Sequence, residues 1–345
     1  MTRTHPSRGD LAARKLTFSG TGGRDPEATF ALRWTASLVD WLPHRRIVVD
    51  EHDAPFGEQS YEGRQAMEVA GGAGADVDVP YILVHSDREI RRLSHQAGII
   101  NPITRRILLS AGMSPGMRVL DVGCGAGDVT FLVSEMVGSG GQVIGADRAP
   151  AALAAAERRA AAHPIQNVSF REGDPAALSF DRPFDAVIGR YVLMFQADPV
   201  AMLRGVARHL RPGGTIVFHE PDWDGCRSSP PAPTYDHCCR WIVETFRRSG
   251  IETNMGIKLD AAFRAAGLTA PSMRMEAVVG GTNGGFDWSH QTAELIVTML
   301  PEIQSRGVAT AAEVDIETLG QRMQREIEAG SVIVSRSEVG AWSHA

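Results

Sequence analysis

Between Arg118 and Glu220, short uninterrupted apolar runs alternate with segments of helical period, and this alternation restricts the fold more than any other feature. The runs are RVLDV (118–122), QVIGAD (142–147), VSFREGD (168–174), FDAVIGR (184–190) and TIVFHE (215–220). Helices are expected from about Asp128 to Val137, from Pro150 to Ala162 and over 199–210. Strands that are apolar on both faces need cover on both, and strands separated by helices run parallel. A strand pattern at SMRMEAVVGG and a last run, SVIVS, complete the set. The expected class is α/β: a doubly wound, mostly parallel seven-stranded sheet.

The flanks read differently. Residues 1–78 carry mixed charge, scattered glycines and weak periodicity, and are expected to be an appendage, partly disordered or helical around EATFALRWTASLVDWL. Met67 is a candidate alternative start, since the informative residues follow it; Asp10 and later acids argue against a transit peptide. From residue 79 the chain is expected to form one domain to 345, with a helical cover over 79–113. That cover is read as two helices broken near Asn101-Pro102. Inserted helices over 223–330 would build a substrate wall, with Trp241, Phe246, Phe263, Phe286 and Trp288 as its aromatic candidates.

With 345 residues, 43% of them hydrophobic, the chain can bury a large core. A net charge of -6 supplies no basic field to gather nucleic acid. No apolar run approaches the roughly 20 residues of a membrane span, and the first residues lack a secretory core, so a cytoplasmic location is expected. Homo-oligomer formation stays open. The four cysteines, Cys124, Cys226, Cys238 and Cys239, do not form a disulfide framework. His237, Cys238 and Cys239 with Cys226 count four metal-binding side chains, but no C-x-x-C pair recurs, and no metal is expected.

The loop after the first strand, VLDVGCGAGDVT (119–130), holds Gly123, Gly125 and Gly127. In open α/β sheets ligands bind beyond the carboxyl ends of the strands, so this loop is the floor of the expected site. A pyrophosphate fingerprint, G-x-G-x-x-G, would put its third glycine at 128, where Asp128 stands; its charge suits the helix dipole and repels a phosphate. No G-K-[ST] follows, so a P-loop also fails. The remaining pattern, D-x-G-x-G-x-G, suits a nucleoside with an amino-acid tail.

Asp121 and the three glycines resemble the first motif of the class I S-adenosylmethionine-dependent methyltransferases. GADRAP, EGDPAAL, FDAVIGRYVLMFQADP and LRPGGTIVFHEPD resemble the next four motifs in order, so the similarity runs from about Tyr81 to the C-terminus. The resemblance implies S-adenosylmethionine as cofactor. It implies that Asp147, followed by Arg148, accepts from the ribose hydroxyls, and that Asp174, with Pro175, meets the adenine amino group. Two hydroxyl donors suit one ionised carboxylate. Asp174 also reads as a helix cap with Pro175 at the first helical position, and both roles can coexist. Asp121 either steadies the loop or reaches the methionine amino group. Arg190 and Tyr191 are expected to border the donor, with Tyr81, His95 and Gln96 closing over it.

Methyl transfer is an in-line displacement that depends on alignment and exclusion of water. A phenol or an acidic carbon would want a base, and His219 and Glu220 are the candidates at the strand ends. The resemblance is nearest to the ubiquinone and menaquinone ring methyltransferases and the small-molecule enzymes of secondary metabolism. Where relatives carry a histidine after the fourth strand, this chain has Phe195, and the N/D-P-P-Y/F signature of nucleic-acid amino methyltransferases is absent. The expected function is methylation of a small, partly apolar molecule at oxygen, carbon or nitrogen. A quinone ring C-methyltransferase, a cofactor-binding protein without methyl transfer and an NAD-dependent oxidoreductase are the rivals.

Overall fold

The structure, a computed structural model, describes residues 87–162, 165–281 and 287–344. The readings placed on residues 1–86, Tyr81 among them, and on Phe286 lie outside the described residues.

The alternation of the sequence becomes β1 (Arg118–Val122), α2 (Asp128–Val137), β2 (Gln142–Asp147), α3 (Pro150–Ala161), β3 (Val168–Glu172), β4 (Phe184–Arg190), α4 (Pro199–Ala207) and β5 (Leu210–Asp222), preceded by α1 (Asp87–Ser110). Local chemistry sets these boundaries. Pro150 and Pro199 open their helices at the position that has no amide partner to lose, and the Asp198 side chain accepts from Ala201 N to cap α4. The second half contains β6 (Arg227–Ser229), α5 (Pro233–Arg248), α6 (Met255–Ala265), β7 (Ser272–Gly280), α7 (Trp288–Ser305), α8 (Ala311–Val314), α9 (Ile316–Glu328) and β8 (Val332–His344). Thr310 and Glu313 form a reciprocal capping box at the start of α8.

The sheet runs β3-β2-β1-β4-β5-β8, with β6 and β7 also paired to β8. The first five strands are mutually parallel; β8 is antiparallel to β5, β6 and β7. Strand order reverses between β1 and β4, which opens a crevice at their carboxyl ends. All five residues of β1 are buried, as expected for a strand covered on both faces.

Three readings are corrected. The sheet has eight strands, because the three-residue β6 adds an edge too short to carry a periodic signal. The helical cover is one 24-residue helix with Pro102 inside it. Ile99, Ile100, Ile103, Ile107 and Leu108 are buried in an unbroken stripe across Pro102, and their packing outweighs the roughly 3 kcal/mol that an interior proline costs. Pro175 opens a single turn and not a helix.

Helix α1 packs on the sheet at Gly340, where an added Cβ would lie 2.7 Å from Ile107 Cδ1. Ile107 is fully buried and has nowhere to move. Gly340→Ala is therefore expected to destabilise the fold by about 1–3 kcal/mol through overpacking, read by denaturant unfolding; an unchanged midpoint would show that α1 shifts freely. No described helix is long and apolar enough to cross a membrane.

Candidate functional site

Loops at the carboxyl ends of β1, β2, β4 and β5 surround a cavity of about 500 Å3, closed by α1, α5, α7 and β8. That volume is typical of a site for a cofactor or small molecule, which runs roughly 300–1,000 Å3.

The floor is the glycine loop. Gly123, Gly125 and Gly127 have φ of 63°, 53° and 88°, the left-handed region where a side chain is strained. A Cβ on Gly125 would meet no protein atom within 4 Å, so its backbone is bare toward the cavity. The loop is pinned by Asp147, whose Oδ2 accepts from Gly125 N and whose Oδ1 accepts from Ala149 N, both at 2.8 Å. One carboxylate thus ties β1's loop to the start of α3 while facing the cavity. Asp128 is paired with Arg159 at 2.7 Å, so the N-terminus of α2 already has an anion beside it.

Asp121 is 1% exposed and lines the cavity beneath the loop. Burial pushes its carboxyl up to about 7, against the Thr130 hydroxyl that donates to Oδ2 at 2.6 Å and the nearby charge of Arg190. Arg190 also lines the cavity, and its Nη1 donates to Asn101 Oδ1 and Thr104 Oγ1 at 2.8 and 3.0 Å. Arg148 and Pro175 are on the wall; Asp174 is not, and its Oδ2 pairs with Arg148 at 2.8 Å while Oδ1 accepts from Ala176 N. Asp174 therefore caps a turn. Gln96 lines the cavity, whereas His95 is exposed and faces Gln291.

The two side chains expected to act as bases do not line the cavity. Glu220 is fully buried, with Oε1 accepting from the amides of Val192 and Leu193 at 2.8 Å each and Oε2 from Met194 at 3.4 Å. It clamps the turn Leu193–Phe195, which does line the cavity. His219 is 2% exposed, with Nδ1 at 3.2 Å from Thr104 Oγ1 and Nε2 at 3.0 Å from Glu338 Oε2. Burial holds its pKa below the ordinary value despite Glu338, so the ring is neutral near pH 7. As a correction, both residues sit behind the cavity wall: the Glu220 oxygens are taken by backbone amides, and His219 Nε2 stands against Glu338 without a hydrogen bond.

Part of that wall is a cluster of which the sequence reading reached only Tyr191. Glu338 Oε2 accepts from the Tyr191 hydroxyl at 2.6 Å, and Arg336 Nε stands 3.1 Å from Glu338 Oε1. Tyr191 has φ 57°, a strained value for a side-chain-bearing residue, and its ring lines the cavity beside Arg336 and Trp223. The available signal was RSE in the last strand: Arg336 and Glu338, two apart, put opposite charges on one face of a buried strand. Of the aromatic wall candidates, Phe246 lines the cavity; Phe263 packs behind the sheet on Phe218, Trp241 stacks on His237, and Trp288 faces Arg336.

Residues 113–246 match a family model described as a methyltransferase domain. Over 121 residues the chain is 38% identical to the aklanonic acid methyltransferase of Streptomyces sp. strain C5, covering 35% of this chain and 55% of that protein. It is 36% identical to the demethylmenaquinone methyltransferase of Lactococcus lactis, covering 35% and 46%. It is 40% identical to the nocamycin O-methyltransferase of Saccharothrix syringae, covering 35% and 43%. The chain spans about half the length of the curated relatives it matches.

Proposed function

We propose that this chain, whose residues 113–246 match a methyltransferase-domain model, is a class I methyltransferase that transfers the methyl group of S-adenosylmethionine to a small, partly apolar acceptor. The observation that carries the reading is Asp147: its carboxylate pins the bare glycine loop and faces the cavity at the end of the second strand. Each of its oxygens spends one lone pair on a backbone amide and keeps another for a ribose hydroxyl. The glycine loop fits the amino-acid tail, since a Cβ at Gly125 would project into that space. Asp121 is assigned to the amino group and Arg190 to the border of the tail; Arg148 and Pro175 flank the adenine, with Asp174 holding Arg148 in place. When bound, the cofactor supplies an electrophilic methyl group on a sulfonium.

What the protein contributes is alignment and dryness. Leu93, Trp223, Phe246 and Leu295 give the acceptor side an apolar wall, and α1 covers the crevice. Proton removal is assigned neither to His219, whose ring is turned toward Thr104 and Glu338 away from the cavity, nor to Glu220, whose oxygens serve the amides of the turn after β4. The His219 ring packs on that of Tyr191, and Glu220 holds the turn after β4 in place. The names of the aklanonic acid and nocamycin enzymes support a place in specialised metabolism over quinone ring methylation, which the demethylmenaquinone relative would favour.

Calorimetric titration tests the reading: S-adenosylmethionine and S-adenosylhomocysteine are expected to bind at micromolar concentration and NAD not at all, while the reverse pattern would overturn it. Asp147→Ala is expected to weaken S-adenosylhomocysteine binding by about 1–3 kcal/mol, roughly 5- to 150-fold, through loss of charge-assisted bonds. Undiminished affinity in a folded variant rejects the ribose assignment.

A further inference from the structure

Arg336 is 4% exposed and is held by β8 in the cavity wall, next to Trp223, Phe246 and Leu295. Its guanidinium is held by one ion pair, one hydrogen bond and three aromatic rings. Nε stands against Glu338, and Nη2 donates to the Tyr191 hydroxyl at 3.0 Å. The rings of Tyr191, Trp223 and Trp288 surround it, with centroids 5.2, 5.0 and 5.1 Å from Cζ. Nη1 has no acceptor among the described residues. The two N–H donors of Nη1, on a residue that lines the cavity, are thus open to an acceptor atom of a bound molecule.

The surrounding charges sharpen the point. Glu338 is the only carboxylate on Arg336 among the described residues, and it also accepts from the Tyr191 hydroxyl and faces His219. Arg190, on the same cavity, is hydrogen-bonded only to neutral groups, Asn101 and Thr104. Arg92 is already closed off by Glu89 at 2.6 Å. Arg190 stands in the field of the Asp121 carboxyl, so the open guanidinium edge on the acceptor side of the cavity is that of Arg336. Neither residue expected to remove a proton reaches this space.

We infer that the acceptor is an organic oxygen acid, bound as its anion with an ionised oxygen on Nη1 of Arg336 and its apolar body against Trp223, Phe246 and Leu295. This rests on the methyltransferase reading and adds the class of acceptor. An ionised carboxylate or an acidic phenolate satisfies the free donors equally, and each arrives without a proton to remove. Arg336 is a specificity-determining residue under this assignment, distinct from the donor-binding residues at the ends of β1 and β2.

The test uses the full chain saturated with S-adenosylhomocysteine, whose own binding is measured first; if it does not bind, the methyltransferase reading fails and not this one. Matched probes are then titrated at neutral pH: benzoate, naphthoate and anthraquinone carboxylate against their amides, and picrate against its methyl ether. At least one ionised probe is expected to bind about tenfold more tightly than its neutral partner. A preference among the carboxylates identifies that source, and one confined to picrate identifies the phenolate. Arg336→Met combined with Glu338→Gln removes both charges together, so that no lone buried carboxylate is left, and is expected to abolish the preference with S-adenosylhomocysteine affinity retained. Arg336→Lys, which keeps the charge, is expected to retain part of it. No preference in the wild-type protein for any pair, or a preference that survives in the charge-free variant, overturns the inference.

Discussion

Glu220→Ala is expected to cost about 3 kcal/mol or more of folding stability, because it strips the acceptor from buried backbone amides. Val192 and Leu193 both donate to Oε1 at 2.8 Å, and the site is fully buried, so truncation removes the one side-chain acceptor that both amides share. The turn they belong to lines the cavity at Val192, Met194 and Phe195, so donor affinity should fall with stability. Glu220→Gln behaves differently. Burial pushes the Glu220 carboxyl up to about 8, so near pH 7 the protonated form dominates, and a glutamine copies its single carbonyl acceptor. The Gln variant is expected to keep most of the stability and turnover. Denaturant unfolding and methyl-transfer rates separate the cases: a Gln variant that folds like the wild type and has lost turnover would restore Glu220 as the base.

That prediction reverses the role suggested by position along the chain, and the reason is physical. Sequence shows that Glu220 ends an apolar strand, but the amides it serves belong to a turn 26 to 28 residues away. The elements that were legible are those fixed by local chemistry. β1, α2, β2 and β4 have the bounds that continuous apolar runs and the glycine loop suggest, and Pro150 marks the start of α3. The positions of Gly123, Gly125, Gly127 and Asp147 follow from the same local signals, because a strand end and its loop are contiguous. What was not legible depends on pairing across the chain. SVIVS extends to a 13-residue β8 because β5 and β7 both pair with it, and Pro102 stays inside α1 because the sheet buries the stripe around it. The Tyr191–Glu338–Arg336 cluster joins residues about 145 positions apart, and only the register of β8 brings them together.

Asp121 supplies the prediction that most directly links charge to ligand binding. Its carboxyl is raised to about 7 by burial, so the folded, ligand-free protein holds a proton there that the unfolded chain, near 3.8, has released. Between those values stability of the free protein falls as pH rises, because the folded state binds the extra proton. A cationic amino group placed beside Asp121 reverses the preference by favouring the carboxylate. Binding should therefore expel the proton, and S-adenosylhomocysteine affinity is expected to rise by up to about tenfold per pH unit below pH 7 and to level off above it. Titration in buffers of different ionisation enthalpy should show close to one proton released at pH 6 and almost none at pH 8. Asp121→Asn keeps a hydrogen-bond acceptor for the Thr130 hydroxyl while removing the charge, and is expected to bind weakly and with a flat profile. A wild-type affinity that does not change with pH would mean that Asp121 steadies the loop without meeting the ligand's charge, which leaves the amino group to be held by the backbone of the glycine loop alone.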